Sequence, residues 1–283
     1  MDSNLRYAEQ IPPNRFHNPN TMTQGITPAG KRFAFVHADS EKAESAQRSL
    51  VKLYGQNLTK EADIIVAIGG DGFLLETLNR YSANGKPVFG MNRGTVGFLL
   101  NTYKLNDLPE RLDQAIAIKL YRLTLNAITT QGETVRAKAI NEVSLFRQSG
   151  QSAQLSITVD GNNRLPCLVC DGILLSTPAG STAYNLSANG PIIPLEGQLM
   201  ALTPISAFRP RRWSGALLKR NAKVVIDVLD CEKRPVSAAA DGFEIRDVVK
   251  VTIETDRRVA LKLLFDPDQQ LQERIIREQF LID

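Results

Sequence analysis

Four consecutive residues, Gly69-Gly70-Asp71-Gly72, follow an unbroken apolar run from Ile64 to Ile68 and open a helical pattern. Glycine in such a turn lets the backbone come close to a ligand. The first amides of the next helix then offer free N–H groups and the positive end of a dipole, a ready phosphate site. The stretch contains no lysine and does not fit G-x-x-x-x-G-K-[ST], so it is not a P-loop. Asp71 is out of place in a plain phosphate cradle, because a carboxylate repels phosphate. It suits the chemistry if it accepts the proton of an attacking hydroxyl or helps to hold magnesium. The simpler alternative is a helix cap.

Three further segments have the composition of a ligand site. Asp171-Gly172 precedes STPAGSTAYNLSANG (176–190), which is dominated by Gly, Ala, Ser and Thr. Such residues cannot fill a bulky core, but they bring amides and hydroxyls close to a ligand, and Tyr184 adds one large ring able to stack on a base. Pro191 after Gly190 marks the end of a short helix. Asn141-Glu142 interrupts the alternation of the strand AINEVSLF, so one of the pair faces the less polar side unless the strand ends there in water. The loop Gly90 to Phe98, GMNRGTVGF, stands where a doubly wound sheet opens a ligand crevice, or is a simple βα turn.

The whole chain has 283 residues, a soft prior for two domains. Hydrophobic content of 43% and charged content of 23% are those of a soluble globular protein. No apolar run is long enough to span a membrane, and the first residues carry no apolar signal region. A net charge of +4, from 34 basic and 30 acidic residues, suits anionic small molecules and does not demand nucleic acid. The two histidines, His17 and His37, have nothing metal-like around them; a zinc site or a histidine-based triad would have to use His37, which reads as a loop residue near a sheet edge. Cys167 and Cys170 fall three apart on a strand, on opposite faces, and so neither chelate a metal nor pair easily. Together with Cys231 they suit a reducing compartment, the cytoplasm.

The elements that must position these residues follow from periodicity. Residues 1–30 hold Pro12, Pro13, Pro19 and Pro28 without an apolar pattern, and read as a disordered, dispensable extension. Residues 31–118 alternate strand and helix, which implies a parallel sheet with right-handed crossovers. Their first helix is expected to start at Asp39 or Ser40 and to bury Ala43, Ala46, Leu50, Leu53 and Tyr54. Residues 119–265 shift to a period of two. About seven strands are expected in two packed sheets, with TVRAKAINEVSLFR and RLPCLVCDGILLS each read as one strand and Asp160-Gly161 as a hairpin turn. Residues 266–283 read as an amphipathic helix.

Taken in order, GGDG at 69–72, NE at 141–142, DG at 171–172 and STPAGSTAYNLSANGP at 176–191 resemble the NAD kinase family, from about Lys31 onward. GGDG alone is shared with phosphofructokinases and diacylglycerol-type lipid kinases. In lipid kinases an NE usually follows it directly, whereas here the pair lies about seventy residues on. The resemblance implies an α/β N-terminal domain of the NAD kinase/diacylglycerol kinase type, an all-β sandwich-like C-terminal domain, and a terminal helix packed back on the first. It implies transfer of the ATP γ-phosphoryl group to the 2′-hydroxyl of the adenosine ribose of NAD, giving NADP. Asp71 would accept the proton, and Asp71 and Gly72 would line the NAD site, with Phe98 as an apolar wall. Asn141 and Glu142 would hold ribose hydroxyls or the adenine end. Asp171, Ala179, Thr182, Ala183, Tyr184, Asn185, Leu186 and Ser187 would line the dinucleotide pocket, Ala179 through its backbone because relatives often carry a polar residue there. Mg2+ or another divalent cation would arrive with ATP, held largely by phosphate and water, so no metal ligands are assigned. The implied partners are NAD and ATP, with neither nucleic acid nor membrane, and a homo-oligomer, dimer or tetramer. A lipid kinase would need a long apolar pocket, which the Ser/Thr-rich segment argues against. A dinucleotide sensor would have no use for the base.

Overall fold

The computed structural model describes residues 25–267 apart from 83, 84, 96 and 212. The described residues form two compact units, one from 25–120 together with 259–267, the other from 121–258. It belongs to the class expected from sequence, an α/β unit with a parallel sheet and a β sandwich.

In the first unit, β1 (Phe33–His37), α1 (Glu41–Tyr54), β2 (Ile64–Gly69), α2 (Asp71–Tyr81) and β3 (Val88–Asn92) alternate, followed by the short α3 (Leu108–Gln114). β2 is paired in parallel with β1 on one side and β3 on the other. Leu263 and Leu264 extend the sheet in parallel beyond β3. Every residue of β2 is buried, as its unbroken apolar run requires of a strand covered on both faces. Ser40 caps α1, its side chain accepting from the Ala43 amide, and Glu41 and Glu44 lie favourably at the dipole's positive end. The buried stripe of α1 is Ala43, Ala46, Gln47 and Leu50; Leu53 is 54% exposed, contrary to expectation. The i, i+3, i+4, i+7 spacing from Ala43 lands on Gln47 and Leu50 and turns Leu53 outward.

Residues 25–30, expected within the disordered extension, instead pack into this unit. Ile26 bridges Arg32, the Gly25 carbonyl accepts from Asn57 Nδ2 and the Phe33 amide, and Thr27 Oγ1 and the Ala29 amide donate to Asp113. Residues 1–24 and the helix expected toward the C-terminus beyond 267 lie outside the described residues.

The second unit runs through β4 (Ile116–Thr129), β5 (Thr134–Ala139), β6 (Glu142–Arg147), β7 (Ala153–Val159), β8 (Asn162–Cys170), β9 (Gly172–Ser176), the one-turn α4 (Tyr184–Ser187), β10 (Leu199–Ile205), β11 (Ala216–Lys219), β12 (Val224–Val228), β13 (Val236–Ala240), β14 (Phe243–Ile245) and β15 (Val248–Phe265). The chain enters the unit within β4 and leaves it within β15. One sheet orders β15-β12-β7-β8, with β4 on β15 and β5 on β4; the other orders β11-β10-β9-β6-β13-β14. Their inner faces form one core, including Leu123, Leu155, Leu168, Val224 and Val251 from the first and Val143, Leu145, Ile173, Leu202 and Ala238 from the second.

The strand count exceeds the expected seven for two reasons. β10, β11, β13 and β14 carry weak strand signals: β13 is VSAAA, small residues that pattern no face; in the other direction VVKVTIET and RRVALKLLF, expected as two strands, form the single β15. The two long segments read as single strands each change sheets midway. β5 lies in one sheet and β6 in the other, with Ile140-Asn141 at the corner; β8 and β9 do the same around Asp171. Asp160 and Gly161 both take positive φ (+50° and +80°) in the β7–β8 hairpin, the demand of a type I′ turn. Cys167 is exposed and Cys170 buried, on opposite faces of β8, and these two and Cys231 are free thiols.

Asn101 fastens the first unit internally. Fully buried, its Nδ2 donates to the carbonyls of Gly90 (2.9 Å) and Leu264 (3.0 Å), and its Oδ1 accepts from the Asp266 amide (2.9 Å). Asn101→Ala would strand those groups in the interior, at a cost of about 2–4 kcal/mol. Urea unfolding checks this; a loss below about 1 kcal/mol at unchanged m-value would show that water takes over the three bonds.

Candidate active site

At the end of β2 the chain turns through Gly69 and Gly70 into α2, whose first residue is Asp71. Gly70 is the N-cap and no side chain caps the helix, so Asp71 is not a cap. Its carboxylate reaches instead to the loop after β3: Oδ2 accepts from the Phe98 amide at 2.7 Å and Oδ1 from the Leu99 amide at 3.2 Å. The loop is tied back to the turn a second time by the Arg93 amide donating to the Gly69 carbonyl at 2.8 Å. Gly94 and Gly70 pass so closely that a Cβ on Gly94 would stand 3.0 Å from Gly70 Cα. A Cβ at Gly72, by contrast, would touch no protein atom, so packing does not demand glycine there. Gly90 is explained by packing alone, against Leu100 and Leu74. Asp71, Gly72 and half-buried Phe98 therefore share one turn-and-loop assembly at the helix N-terminus, where N–H groups and dipole favour phosphate.

In the second unit the NE pair occupies the β5–β6 corner. The Thr177 amide donates to the Asn141 carbonyl (2.9 Å) and Thr177 Oγ1 to the Ile140 carbonyl (2.6 Å). Gly180 presses on the same corner: a Cβ there would lie 2.2 Å from the Asn141 carbonyl oxygen. From the turn after β13, the Asp241 carboxylate accepts from the amides of Ile140 (2.7 Å), Asn141 (3.0 Å) and Glu142 (3.3 Å). Asn141 Oδ1 and Glu142 Oε2 are buried without a hydrogen-bond partner. Burial, and then the charge of Asp241, push the Glu142 carboxyl from an ordinary 4.5 up to about 7. Burial raises Asp241 too, against the pull of its three amides. Tyr184 opens α4 beside this pair; burial and the Glu142 charge raise its phenol, and its ring lies 5.7 Å from that of Phe146, tilted by 32°.

The other expected residues divide. Ala179 is buried in a tight turn, Ala179–Thr182; Thr182, Ala183 and Leu186 are half-buried and Ser187 is exposed. Asn185 is fully buried and spent on the fold: Nδ2 donates to the carbonyls of Ser181 and Pro191, and Oδ1 accepts from Thr203 Oγ1 at 2.7 Å. Its carbonyl also accepts from the Gly190 amide at 2.8 Å. Asp171 pairs with Arg147, whose Nε lies 2.6 Å from Oδ1. That pair sits at the far end of β6 from Glu142, five residues and roughly 17 Å along the strand. Within one chain, Asn141, Glu142, Tyr184 and the 177–180 turn are thus brought together, and Asp171 is not. Asp241 and Arg147 escape a reading of the sequence. The Asp241-Gly242 dipeptide signals a hairpin turn, but not which amides its carboxylate takes.

Two family models match the chain: ATP-NAD kinase N-terminal domain over residues 18–121 and ATP-NAD kinase C-terminal domain over 140–253. Among curated relatives, an NAD kinase of Hyphomonas neptunium is 54% identical over 249 residues, 88% of this chain and 98% of that one. One of Mesorhizobium japonicum is 52% identical over 255 residues, 90% and 99% of the two chains. The fold is shared with yeast NADH kinase complexed with NADH (TM-score 0.76, 18% identity, covering 94% of this chain and 92% of the other). It is shared also with an NAD kinase from Archaeoglobus fulgidus in complex with ATP (TM-score 0.69, 22% identity, 89% and 99%).

The raised Glu142 carboxyl has a cost that is measurable without any ligand. Folded, it keeps its proton up to about pH 7; unfolded, it releases it near 4.5. Between those values the folded chain binds more protons, so stability falls as pH rises through the window. Glu142→Gln removes this loss. Its melting temperature without nucleotide should exceed the parent's at pH 8 and converge on it as the pH approaches 5, read by scanning fluorimetry. A variant less stable than the parent at pH 8 would refute the assignment.

Proposed function

The chain belongs to the ATP-NAD kinase family, and on that footing we propose that it transfers the γ-phosphoryl group of ATP to the 2′-hydroxyl of the adenosine ribose of NAD, giving NADP and ADP. The observation that carries the reading is the pair of buried, unpartnered acceptors, Asn141 Oδ1 and Glu142 Oε2. A buried polar atom without a partner is costly, and two adjacent acceptors suit donors of the dinucleotide other than the attacking hydroxyl, a neighbouring ribose hydroxyl or the adenine amino group.

The reaction needs positioning and charge neutralisation more than covalent catalysis. The ribose oxygen attacks the γ-phosphorus, its proton passes to the Asp71 carboxylate, and the oxygen bridging the β- and γ-phosphates leaves with ADP. Asp71 stands at a glycine turn suited to phosphate, which supports that role, with Gly72 beside it and Phe98 as an apolar wall. Tyr184 offers a ring for a base. Ala179, Thr182, Ala183, Asn185, Leu186 and Ser187 offer backbone and hydroxyl groups, and Asp171, held by Arg147, a carboxylate. Among the described residues no cluster of three or more His, Cys, Asp or Glu side chains could hold a metal. A divalent cation such as Mg2+ would arrive with ATP, held by phosphate oxygens and water, and would neutralise charge on the transferring group. The proposal includes a cytoplasmic homo-oligomer. The three free thiols support the compartment, and the exposed Leu199 and Leu217, on one face of β10–β11, support self-association. Among the described residues no helix is long and apolar enough to cross a membrane.

Purified protein supplied with ATP, Mg2+ and, in parallel, NAD, NADH or diacylglycerol should phosphorylate the dinucleotide, with mass and NMR placing the phosphate on the 2′-oxygen. A phosphorylated lipid, or phosphate on another hydroxyl, would sink the reading. Asp71→Asn should lower kcat about 10²–10⁴-fold, the range for a general base. Because Asp71 also holds the Phe98 and Leu99 amides, the same variant should lose about 1–2 kcal/mol of stability, which a cap-free surface carboxylate would not show. Glu142→Gln should reduce kcat/KM for NAD roughly ten- to a hundredfold while KM for ATP moves much less. Equal losses for both substrates would point to general damage.

A further inference from the structure

At the start of β6, three successive amides lack ladder partners, because β5 belongs to the other sheet. All three donate to the one carboxylate of Asp241, about a hundred residues away in sequence. The Asp241 amide answers by donating to the Glu142 carbonyl at 3.1 Å. Asp241 takes φ +48° in the turn between β13 and β14, a left-handed conformation that Asp and Asn tolerate better than other side chains. A carboxylate is acceptor-only, so both oxygens can face N–H groups; an amide in its place would set an NH2 against one of them.

We propose that Asp241 is a positioning residue for the transfer: it fixes the backbone of 140–142 so that Asn141 and Glu142 present their free acceptors. This rests on the reading of Asn141 and Glu142 as dinucleotide ligands. The groups that face Glu142 are few. From the β13–β14 turn comes Asp241, and from α4 the uncharged Tyr184. Opposite it on β9 is Ser176, and β13 offers Ala239 and Ala240, none of them ionisable. On β6 itself, Arg147 is five residues away and paired with Asp171. Burial first, and then the charge of Asp241, make Glu142 hard to ionise. A protonated Glu142 carboxyl is a weaker acceptor than the carboxylate, so KM for NAD should rise as the pH falls below about 7.

The test is the pH profile of KM for NAD and for ATP in wild type and Asp241→Asn. At pH 8 the variant should raise KM for NAD about tenfold, the loss of a charge-assisted bond, and leave KM for ATP within about twofold. Its inflection for NAD should also move to lower pH by about one unit, because a like charge has gone. A merely structural Asp241 would lower the melting temperature, weaken both substrates alike and leave the inflection in place, and that result overturns the proposal. Should the variant not fold, 13C NMR of the labelled wild-type enzyme decides. Coupled titration of Glu142 and Asp241, with the Glu142 midpoint lowered by saturating NAD, supports the proposal; independent titration overturns it. If wild type makes no NADP, the functional reading itself has failed, and this proposal with it. If wild type makes NADP and the profiles of the two proteins coincide, only this proposal has failed.

Discussion

Where β5 gives way to β6, the chain leaves one sheet for the other and a run of amides loses its ladder partners. Buried N–H groups left unpaired would each cost about as much as a lost hydrogen bond. The protein meets this with one carboxylate, Asp241, which takes all three, and with Thr177 and Gly180, which hold the carbonyl side of the same corner. The candidate dinucleotide site depends on this arrangement. Without it, Asn141 and Glu142 would be ordinary strand residues relaxing toward water; with it, they are held with acceptors free. The arrangement sets two carboxyl groups in a buried place, and burial first, then the Asp241 charge, raise the Glu142 carboxyl. Local destabilisation at a binding site, compensated by the surrounding core, is a familiar consequence of preorganisation.

The GGDG turn solves a related problem by the same means. The loop after β3 has amides without strand partners, and Asp71 collects those of Phe98 and Leu99. The residue with the sharpest chemical signature is therefore also the anchor of the loop that carries Phe98. In both units a carboxylate gathers backbone N–H groups where regular pairing stops. Charge-assisted bonds of this kind are stronger and more directional than neutral ones, so they give a loop the rigidity that a strand gains from its ladder. The glycines around them have separate tasks. Gly180 and Gly94 permit close passage of two backbones, Gly90 makes room for Leu74 and Leu100, and Gly72 leaves the helix N-terminus uncovered.

Much of this is local and legible in the amino-acid sequence alone. The all-apolar run of β2 marks a strand buried on both faces, Ser40 marks the start of α1, and Asp160-Gly161 marks a hairpin. The break in alternation at Asn141-Glu142 marks a polar intrusion at an apolar position, and that is where the unpartnered acceptors lie. Each of these signals is set by dihedral preference or side-chain period over a few residues, which neighbouring sequence alone determines.

What the tertiary structure decided concerns partners far apart along the chain. Whether TVRAKAINEVSLFR runs on as one strand or turns a corner depends on which sheet offers a free edge, and periodicity is the same in either case. Asn185 reads as a pocket residue until its amide is seen bonded to Ser181, Pro191 and Thr203. The distance of Asp171 from the NE pair is likewise invisible until the register of β6 on β9 places it at the strand's other end. Asp241 carries no local mark of its role at all, since three amides about a hundred residues away become its partners only when β13 docks beside β6. The sequence by itself determined the element types and the residues capable of chemistry. Strand register and burial determined which of those residues meet, because a hydrogen bond depends on separation in space, and that separation exists only once the sheets have packed.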